Sequence, residues 1–237
     1  MGFGKIFIIS GPAGIGKSTV CGRLVENYRG DLKRIVTTTT RKPRPGEVDG
    51  VDYCFIDEAT FLKYIAEKKF LEYASVHRKY FYGTPIAQVS SNRRKGIDSL
   101  LIIDVHGAAN IRKNFRQLAE HMVTIFIMPE RLEVLTERLS MRGSEKRDDI
   151  AQRLQSAKDE IKYAKNYDYI VVSGSKDEDF ISMQTIYEWE HSRSEVKPWY
   201  LIHKEKQFAW LYVSSKWEIF YANYGRFSAR DCAQKYR

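Results

Sequence analysis

The chain has 237 residues, 43% hydrophobic and 29% charged. This ordinary globular usage excludes a disordered chain, a collagen-like repeat and a disulfide-stapled miniprotein. Lys and Arg outnumber Asp and Glu by 39 to 30, and the net charge of +9 suits an anionic partner: nucleotide, phosphate, nucleic acid or membrane surface.

At roughly 150 residues per domain, this length makes one or two units and can bury a sizeable core. No apolar run approaches the roughly 18 residues of a transmembrane helix. The opening MGFGKIFIISG runs into a glycine-rich motif, not a signal cleavage site. Cys21, Cys54 and Cys232 have neither metal-ligand spacing nor a disulfide framework, which fits reduced thiols and a cytoplasmic chain.

Lys5 to Ser10 is a short β-branched apolar run, expected as a buried strand. The loop Gly11 to Gly16 follows, and a helix is expected from Lys17 to about Tyr28. Thr37 to Phe55 carries Pro43, Pro45, Gly46 and Gly50 and reads as loops and short strands. Asp57 to Lys68 has helical spacing, with Asp57 as N-cap. Leu100 to Val105, Val123 to Met128 and Tyr169 to Val172 are further strand candidates. Gly107 to Glu120, Pro129 to Met141, Asp148 to Lys165 and Asp177 to Trp189 read as helices. Alternating strands and helices predict an α/β fold with a parallel sheet covered on both faces. The stretch from Thr37 to Gly96 breaks that rhythm and is expected to be an insertion.

Gly11-Pro12-Ala13-Gly14-Ile15-Gly16-Lys17-Ser18 matches the phosphate-loop pattern G-x-x-x-x-G-K-[ST]. The glycines let successive N–H groups face a polyphosphate, and the following helix adds its positive end. Lys17 would reach the β/γ-phosphates and Ser18 would ligate Mg²⁺. The strand before and helix after supply the required context. The competing reading is an ordinary glycine turn. The motif points to a nucleoside triphosphate without naming the reaction.

Downstream, Thr37-Thr38-Thr39-Thr40-Arg41-Lys42-Pro43-Arg44-Pro45-Gly46-Glu47 sets two arginines three residues apart in a rigid loop. Guanidinium groups bind phosphate bidentately, so the pair suits a monophosphate. A solvated basic loop is the alternative.

The run TTRKPRPGEVDGVDYCF, the phosphate loop upstream, and FLEYASVH, YGTP, DVHGA and RLSMRGSE downstream together resemble the guanylate kinase family. The resemblance extends from about Gly4 to Trp189, with the motifs in the family's order. It implies a P-loop NTPase-type parallel sheet flanked by helices, a small mixed GMP-binding insertion and an arginine-bearing lid. The implied boundaries are a kinase-like domain over 1–190, with core 1–34 and 97–190, insertion about 35–96 and lid about 138–155. The implied reaction moves the γ-phosphoryl group of ATP to GMP, with Mg²⁺, giving ADP and GDP.

Carried over residue by residue, the resemblance assigns ATP to Gly11 through Ser18 and Thr19. It assigns the GMP phosphate to Arg41, Arg44, Tyr53 and Tyr82, two guanidinium forks and two phenols around one dianion. It assigns guanine to Glu72, Asp104, Thr37 and Thr84. Guanine presents N–H donors where adenine presents an acceptor, so carboxylates there select guanine. Taken by itself, Glu72 reads as a solvent-facing residue. Arg138, Arg142 and Arg153 resemble the lid arginines, which with Lys17 would neutralise charge on the transferring group. Outside that resemblance they read as a basic helix pairing with Glu137, Glu145 and Asp149.

Three departures stand out. The family usually reads DVQGA with an acid two positions before its Asp, whereas here Ile102 and His106 occupy those places. The stretch from Glu72 to Gly83 is one residue longer than usual, within Arg78-Lys79-Tyr80-Phe81-Tyr82, which leaves Tyr80 as an alternative to Tyr82. The family's Asn-Asp-Asp near the adenine is Ser173-Gly174-Ser175.

Residues 191–237 have a different texture: eleven aromatics, with nine Lys/Arg against four Asp/Glu. Gln207 to Tyr224 is rich in β-formers with Ser214-Ser215 at a turn, which predicts a hairpin. Packing on the kinase or a second subunit is the favoured role. Single-stranded nucleic acid is the alternative partner, and a membrane is not expected. Monomer and homo-oligomer both stay open. The rival to an enzyme is a guanylate-kinase-like binding module that uses this tail, and a third reading replaces GMP with a phosphorylated sugar. Lys17, Ser18 and the arginines favour the enzyme, and Glu72 with Asp104 favours guanine.

Overall fold

The computed structural model describes residues 2–76, 79–140 and 147–191 and the strand segments 208–213, 216–221 and 225–228. Side chains of 76, 119, 137–140, 147–152 and those last three segments lie outside the description. In chain order the elements are β1 (Ile6–Ser10), α1 (Lys17–Asn27), β2 (Leu32–Arg34), β3 (Thr38–Thr39), β4 (Cys54–Phe55), α2 (Glu58–Ala66), β5 (Phe70–Val76), β6 (Tyr80–Pro85), α3 (Ile86–Arg94), β7 (Asp98–Ile102) and α4 (Val105–Asn114). They continue with β8 (Met122–Pro129), α5 (Leu132–Ser140), α6 (Arg147–Ile161), β9 (Tyr169–Ser173), α7 (Lys176–His191), β10 (Phe208–Val213), β11 (Lys216–Tyr221) and β12 (Gly225–Ser228). The chain divides into two units, 1–10 with 25–124 and 11–24 with 125–237.

In the first unit β2, β7 and β1 pair in parallel in that order. All five residues of β1 are buried, and Ile6, Phe7, Ile8 and Ile9 pack in a core with Leu100, Leu101 and Ile111. A strand apolar on both faces is what a covered parallel sheet requires. The unit also holds a four-stranded mixed sheet ordered β4-β3-β6-β5. Beneath it Phe61 of α2 stacks on Phe70 and Phe81, with centroids 4.5 and 5.4 Å apart. Gly83 is required there, because a Cβ would meet Phe70 at 2.8 Å. Asp57 caps α2 by accepting from the Thr60 N–H at 2.8 Å.

The sequence predicts one helix over Gly107 to Glu120. Instead α4 begins earlier, because the Asp104 carboxylate caps it by accepting from Gly107 N–H. It ends at Asn114, where Phe115 leaves helical geometry, and a 3₁₀ turn over Arg116–His121 completes the stretch. The same cap ends β7 at Ile102, short of the expected Val105. β2, β5, β6 and α3 were not singled out by periodicity.

In the second unit β8 pairs with β9 in parallel from Ile125 to Pro129. Phe126, Ile127, Val171, Met183 and Ile186 are buried there. A reciprocal capping box opens α7: Ser175 N–H donates to Glu178 and Glu178 N–H to Ser175 Oγ, at 2.7 and 3.2 Å. The Ser173-Gly174-Ser175 departure is therefore a closed turn, tightened by Asp179, which accepts from Ser173 Oγ and Gly174 N–H at 2.8 Å. In the tail β10 and β11 form the expected antiparallel pair, Phe208 opposite Tyr221 through Val213 opposite Lys216. A third strand, β12, extends the pair to three and was not foreseen. The predicted turn at Ser214-Ser215 lies outside the described residues.

Candidate active site

The phosphate loop belongs to the second unit. Gly11, Gly14 and Gly16 have φ of 145°, 85° and 108°, and a Cβ on Gly11 would overlap the Ile127 carbonyl oxygen. Only glycine accommodates both demands at Gly11. Pro12 and Ile15 are buried, Ala13 is exposed, and Lys17 is half-buried. The Lys17 ammonium donates to the carbonyls of Gly11 and Pro12, so the loop holds its own cation. Ser18 and Thr19 stand exposed on the first turn of α1. That turn closes with Thr19 and Val20 N–H donating to Gly16 O, at 3.1 and 3.2 Å.

Two clusters lie in the first unit. The first gathers Arg41, Tyr53 and Tyr82 against the mixed sheet. Arg41 is 8% exposed; its Nε donates to Tyr82 Oη at 3.2 Å, and its guanidinium carbon lies 5.3 Å from the Tyr53 ring centroid. The Tyr53 and Tyr82 rings meet edge-on at 5.9 Å. The sequence leads one to expect two open guanidinium forks. Arg41 instead turns its fork onto Glu47, Nη1 to Oε2 at 2.9 Å and Nη2 to Oε1 at 2.8 Å. That pairing raises the Arg41 pKa and lowers that of Glu47. Burial pushes the Tyr53 phenol above its ordinary range. Arg44 is exposed on the turn between them.

The second cluster gathers Glu72, Thr84 and Asp104. Glu72 on β5 faces Thr84 on β6 across the pair, beside a bulge that begins at Phe70. Thr84 Oγ1 donates to Glu72 Oε1 at 2.6 Å. Far from facing solvent, Glu72 is 7% exposed. Burial first, and the nearby Asp104 charge as well, push its carboxyl up to about 7 against the pull of Thr84. Asp104 accepts from Gly107 N–H at 2.7 Å. Gly107 makes the approach possible: a Cβ there would lie 2.8 Å from Glu72 Oε2 and 3.5 Å from Asp104 Oδ1. Two carboxylates thus converge on the N-terminus of α4.

Among the described residues no hydrogen bond joins the side chains of Thr37 or Arg44 to these clusters. Thr37 precedes β3, its carbonyl accepting from Cys54 N–H at 2.9 Å. Ile102 is half-buried at the end of β7, and His106 is exposed. Arg153 is half-buried on α6. Arg138 falls on α5, but its side chain, like all of Arg142 and Arg78, lies outside the described residues. Glu47 and Gly107 are the site residues that sequence reasoning passed over. Both stand inside quoted motifs, but neither motif says what each touches.

A strand, glycine loop and helix with a parallel sheet covered by helices define a P-loop nucleotide-binding protein. The chain matches the family described as guanylate kinase over residues 3–190. It is 41% identical over 174 residues to the guanylate kinase of Caldanaerobacter subterraneus, covering 73% of this chain and 82% of that protein. It is 40% identical over 190 residues to that of Latilactobacillus sakei, covering 80% and 91%. The crystal structure of guanylate kinase from Anaplasma phagocytophilum superposes with a TM-score of 0.65 at 33% identity, over 82% of this chain and 89% of that one. The chain belongs to the guanylate kinase family. No described helix is long and apolar enough to cross a membrane.

Proposed function

We propose that the chain transfers the γ-phosphoryl group of ATP to GMP, giving ADP and GDP. The observation that carries this reading is the buried Glu72, held by Thr84 beside Asp104. A hydrogen-bond acceptor placed there without a donor opposite is costly, and guanine offers donors from its N1 and exocyclic amine. Adenine leaves one acceptor facing another, and a sugar phosphate has no call for a paired base reader. The guanine assignment comprises Glu72, Asp104, Thr37 and Thr84. The phosphate assignment comprises Arg41, Arg44, Tyr53 and Tyr82. The mixed sheet of the 35–96 segment is the acceptor-binding insertion, and the segment of about 138–155 is the lid.

In the transfer, an oxygen of the GMP phosphate bonds to the ATP γ-phosphorus as the bond to the β-phosphate oxygen breaks, and ADP leaves. Gly11 through Gly16 cradle the ATP phosphates with backbone N–H groups, joined by Ser18 and Thr19. Lys17 leaves its loop carbonyls for the β/γ-phosphates. Arg138, Arg142 and Arg153 offset charge on the group in flight. Among the described residues no cluster of three or more His, Cys, Asp or Glu could cage a metal. Mg²⁺ would be held by the ATP phosphates and water together with the exposed Ser18 hydroxyl. Bound with ATP, Mg²⁺ neutralises phosphate charge. The cysteine spacing fits a cytoplasmic enzyme.

A coupled ADP-release assay with Mg-ATP and GMP, dGMP, AMP, UMP or CMP tests this. GMP turns over, AMP is at least about tenfold poorer, and Lys17→Met abolishes the signal. GMP that binds in calorimetry without turnover refutes the transfer and favours a binding module.

A further inference from the structure

Arg41 carries five N–H donors in a planar fork. Nε donates to Tyr82 Oη, Nη1 donates to both Lys42 O and Glu47 Oε2, and Nη2 donates to Glu47 Oε1. One N–H, on Nη2, is left. The same Glu47 carboxylate accepts from the backbone N–H of Arg44 at 2.8 Å, and Glu47 N–H donates back to Arg44 O at 3.0 Å. The turn runs through Pro45 and through Gly46 at φ 85°, a conformation that suits glycine. The pair is shielded, with side chains 9% and 19% exposed.

We propose that Glu47 is a positioning residue for the acceptor phosphate: one carboxylate locks the Arg41 fork and closes the turn that presents Arg44. The inference rests on the reading of this cluster as the GMP-phosphate site.

The consequence is a division of labour between two arginines that look equivalent in the sequence. Arg41, paired and buried, gives the phosphate one N–H and orients the Tyr82 phenol, whose proton is its own to donate. Arg44, whose guanidinium makes no hydrogen bond among the described residues, supplies the bidentate contact. A phosphate that took the Arg41 fork would have to expel Glu47. That would leave a carboxylate beside a dianion, a like-charge contact the fold has no reason to prefer. With Glu47 in place the Arg41 charge is already balanced, so shape and donor placement, more than net charge, define the subsite.

The test separates position from charge. Glu47→Asp keeps the charge but is one methylene too short to span the Arg41 fork and the Arg44 amide together. Glu47→Gln keeps the length and removes the charge. Steady-state kinetics on the full chain are compared with inhibition by guanosine, which has the base and no phosphate.

In Glu47→Asp the KM for GMP is expected to rise about tenfold or more, the loss of one charge-assisted contact. KM for ATP and Ki for guanosine stay within about twofold of the unsubstituted values. Glu47→Gln raises KM for GMP as well. Unchanged KM for GMP in both variants overturns the proposal. So does a parallel rise in guanosine Ki, which would mean a purely structural role. Tighter GMP binding in Glu47→Gln overturns it too, since Glu47 would then be a competitor. An unsubstituted chain that neither binds nor phosphorylates GMP removes the acceptor-site reading itself, whereas normal GMP turnover with any of the three adverse results removes only the role of Glu47.

Discussion

The Glu72 carboxylate packs against Gly107 so closely that a Cβ there would lie only 2.8 Å from its Oε2. The buried acid and the start of α4 are therefore one packing unit, although 35 residues separate them in the chain. Thr84 holds the acid from the other side at 2.6 Å.

Replacing Gly107 by Ala pits two effects against each other. Alanine favours a helix over glycine by about 1 kcal/mol. The added methyl also pushes on a carboxylate tied to Thr84 and enclosed by protein. The helix gain acts on stability, and the displacement acts on recognition. Gly107→Ala is expected to melt within a few degrees of the unsubstituted chain while its KM for GMP rises about tenfold, with KM for ATP unchanged. A variant with normal GMP kinetics would show that the close approach does not matter.

The elevated Glu72 carboxyl, at about 7 against 4.5 for an ordinary glutamate, makes two pH predictions. The native state holds this proton more tightly than the unfolded chain. Its contribution to stability is therefore full below about pH 4.5 and is lost as pH rises to 7. The lost amount is about 3 kcal/mol on the linkage relation. Glu72→Gln removes that slope, and the variant should be the more stable protein above pH 7 in chemical denaturation. Under the proposed guanine-reading role recognition runs the other way, because only the ionised form would accept from both guanine donors. Guanosine inhibition should weaken by up to tenfold per unit as pH falls below 7. Guanosine is the proper probe, since the phosphate of GMP itself titrates near pH 6. A flat guanosine profile from pH 5.5 to 8 would contradict both the shift and the role.

Phe61 is fully buried and stacks on Phe70 and Phe81. Phe61→Ala should cost about 3–5 kcal/mol and lower the melting temperature by roughly ten degrees. Phe61→Leu should recover most of the loss. Calorimetry on both variants checks this, and equal melting temperatures would mean that the cluster does not hold the mixed sheet.

Much of the architecture was legible in the residues. The strands at Lys5 to Ser10, Val123 to Met128 and Tyr169 to Val172 are short apolar runs that need no partner information to recognise; the first two are buried on both faces, and the third is half-buried apart from Val171. The Asp57 cap and the tail pair were readable for the same local reason, since capping and β-propensity act over a few residues. The end of α4 was not legible, because the break at Phe115 interrupts no polar or glycine signal. β5 and β6 were not legible because their alternation is blurred: both faces of that sheet carry aromatic and polar residues.

The phosphate loop, the paired arginines and the two acids were named from sequence because each sits in a contiguous motif or an ordered set of motifs. The phosphate loop is determined by sequence outright: its chemistry is backbone N–H groups, a lysine and a serine set by consecutive residues, and glycine alone permits its φ values. Where contacts join distant residues, only the tertiary structure decides. It made Arg41 a held group and left Arg44 exposed, by placing Glu47 on one fork and Tyr82, forty-one residues away, on the other edge. It turned Glu72 from a glutamate of no evident environment into a buried acid, because desolvation and the Asp104 field exist only once β5 meets α4. A pKa and a donor count belong to surroundings, and those form only when the chain closes on itself.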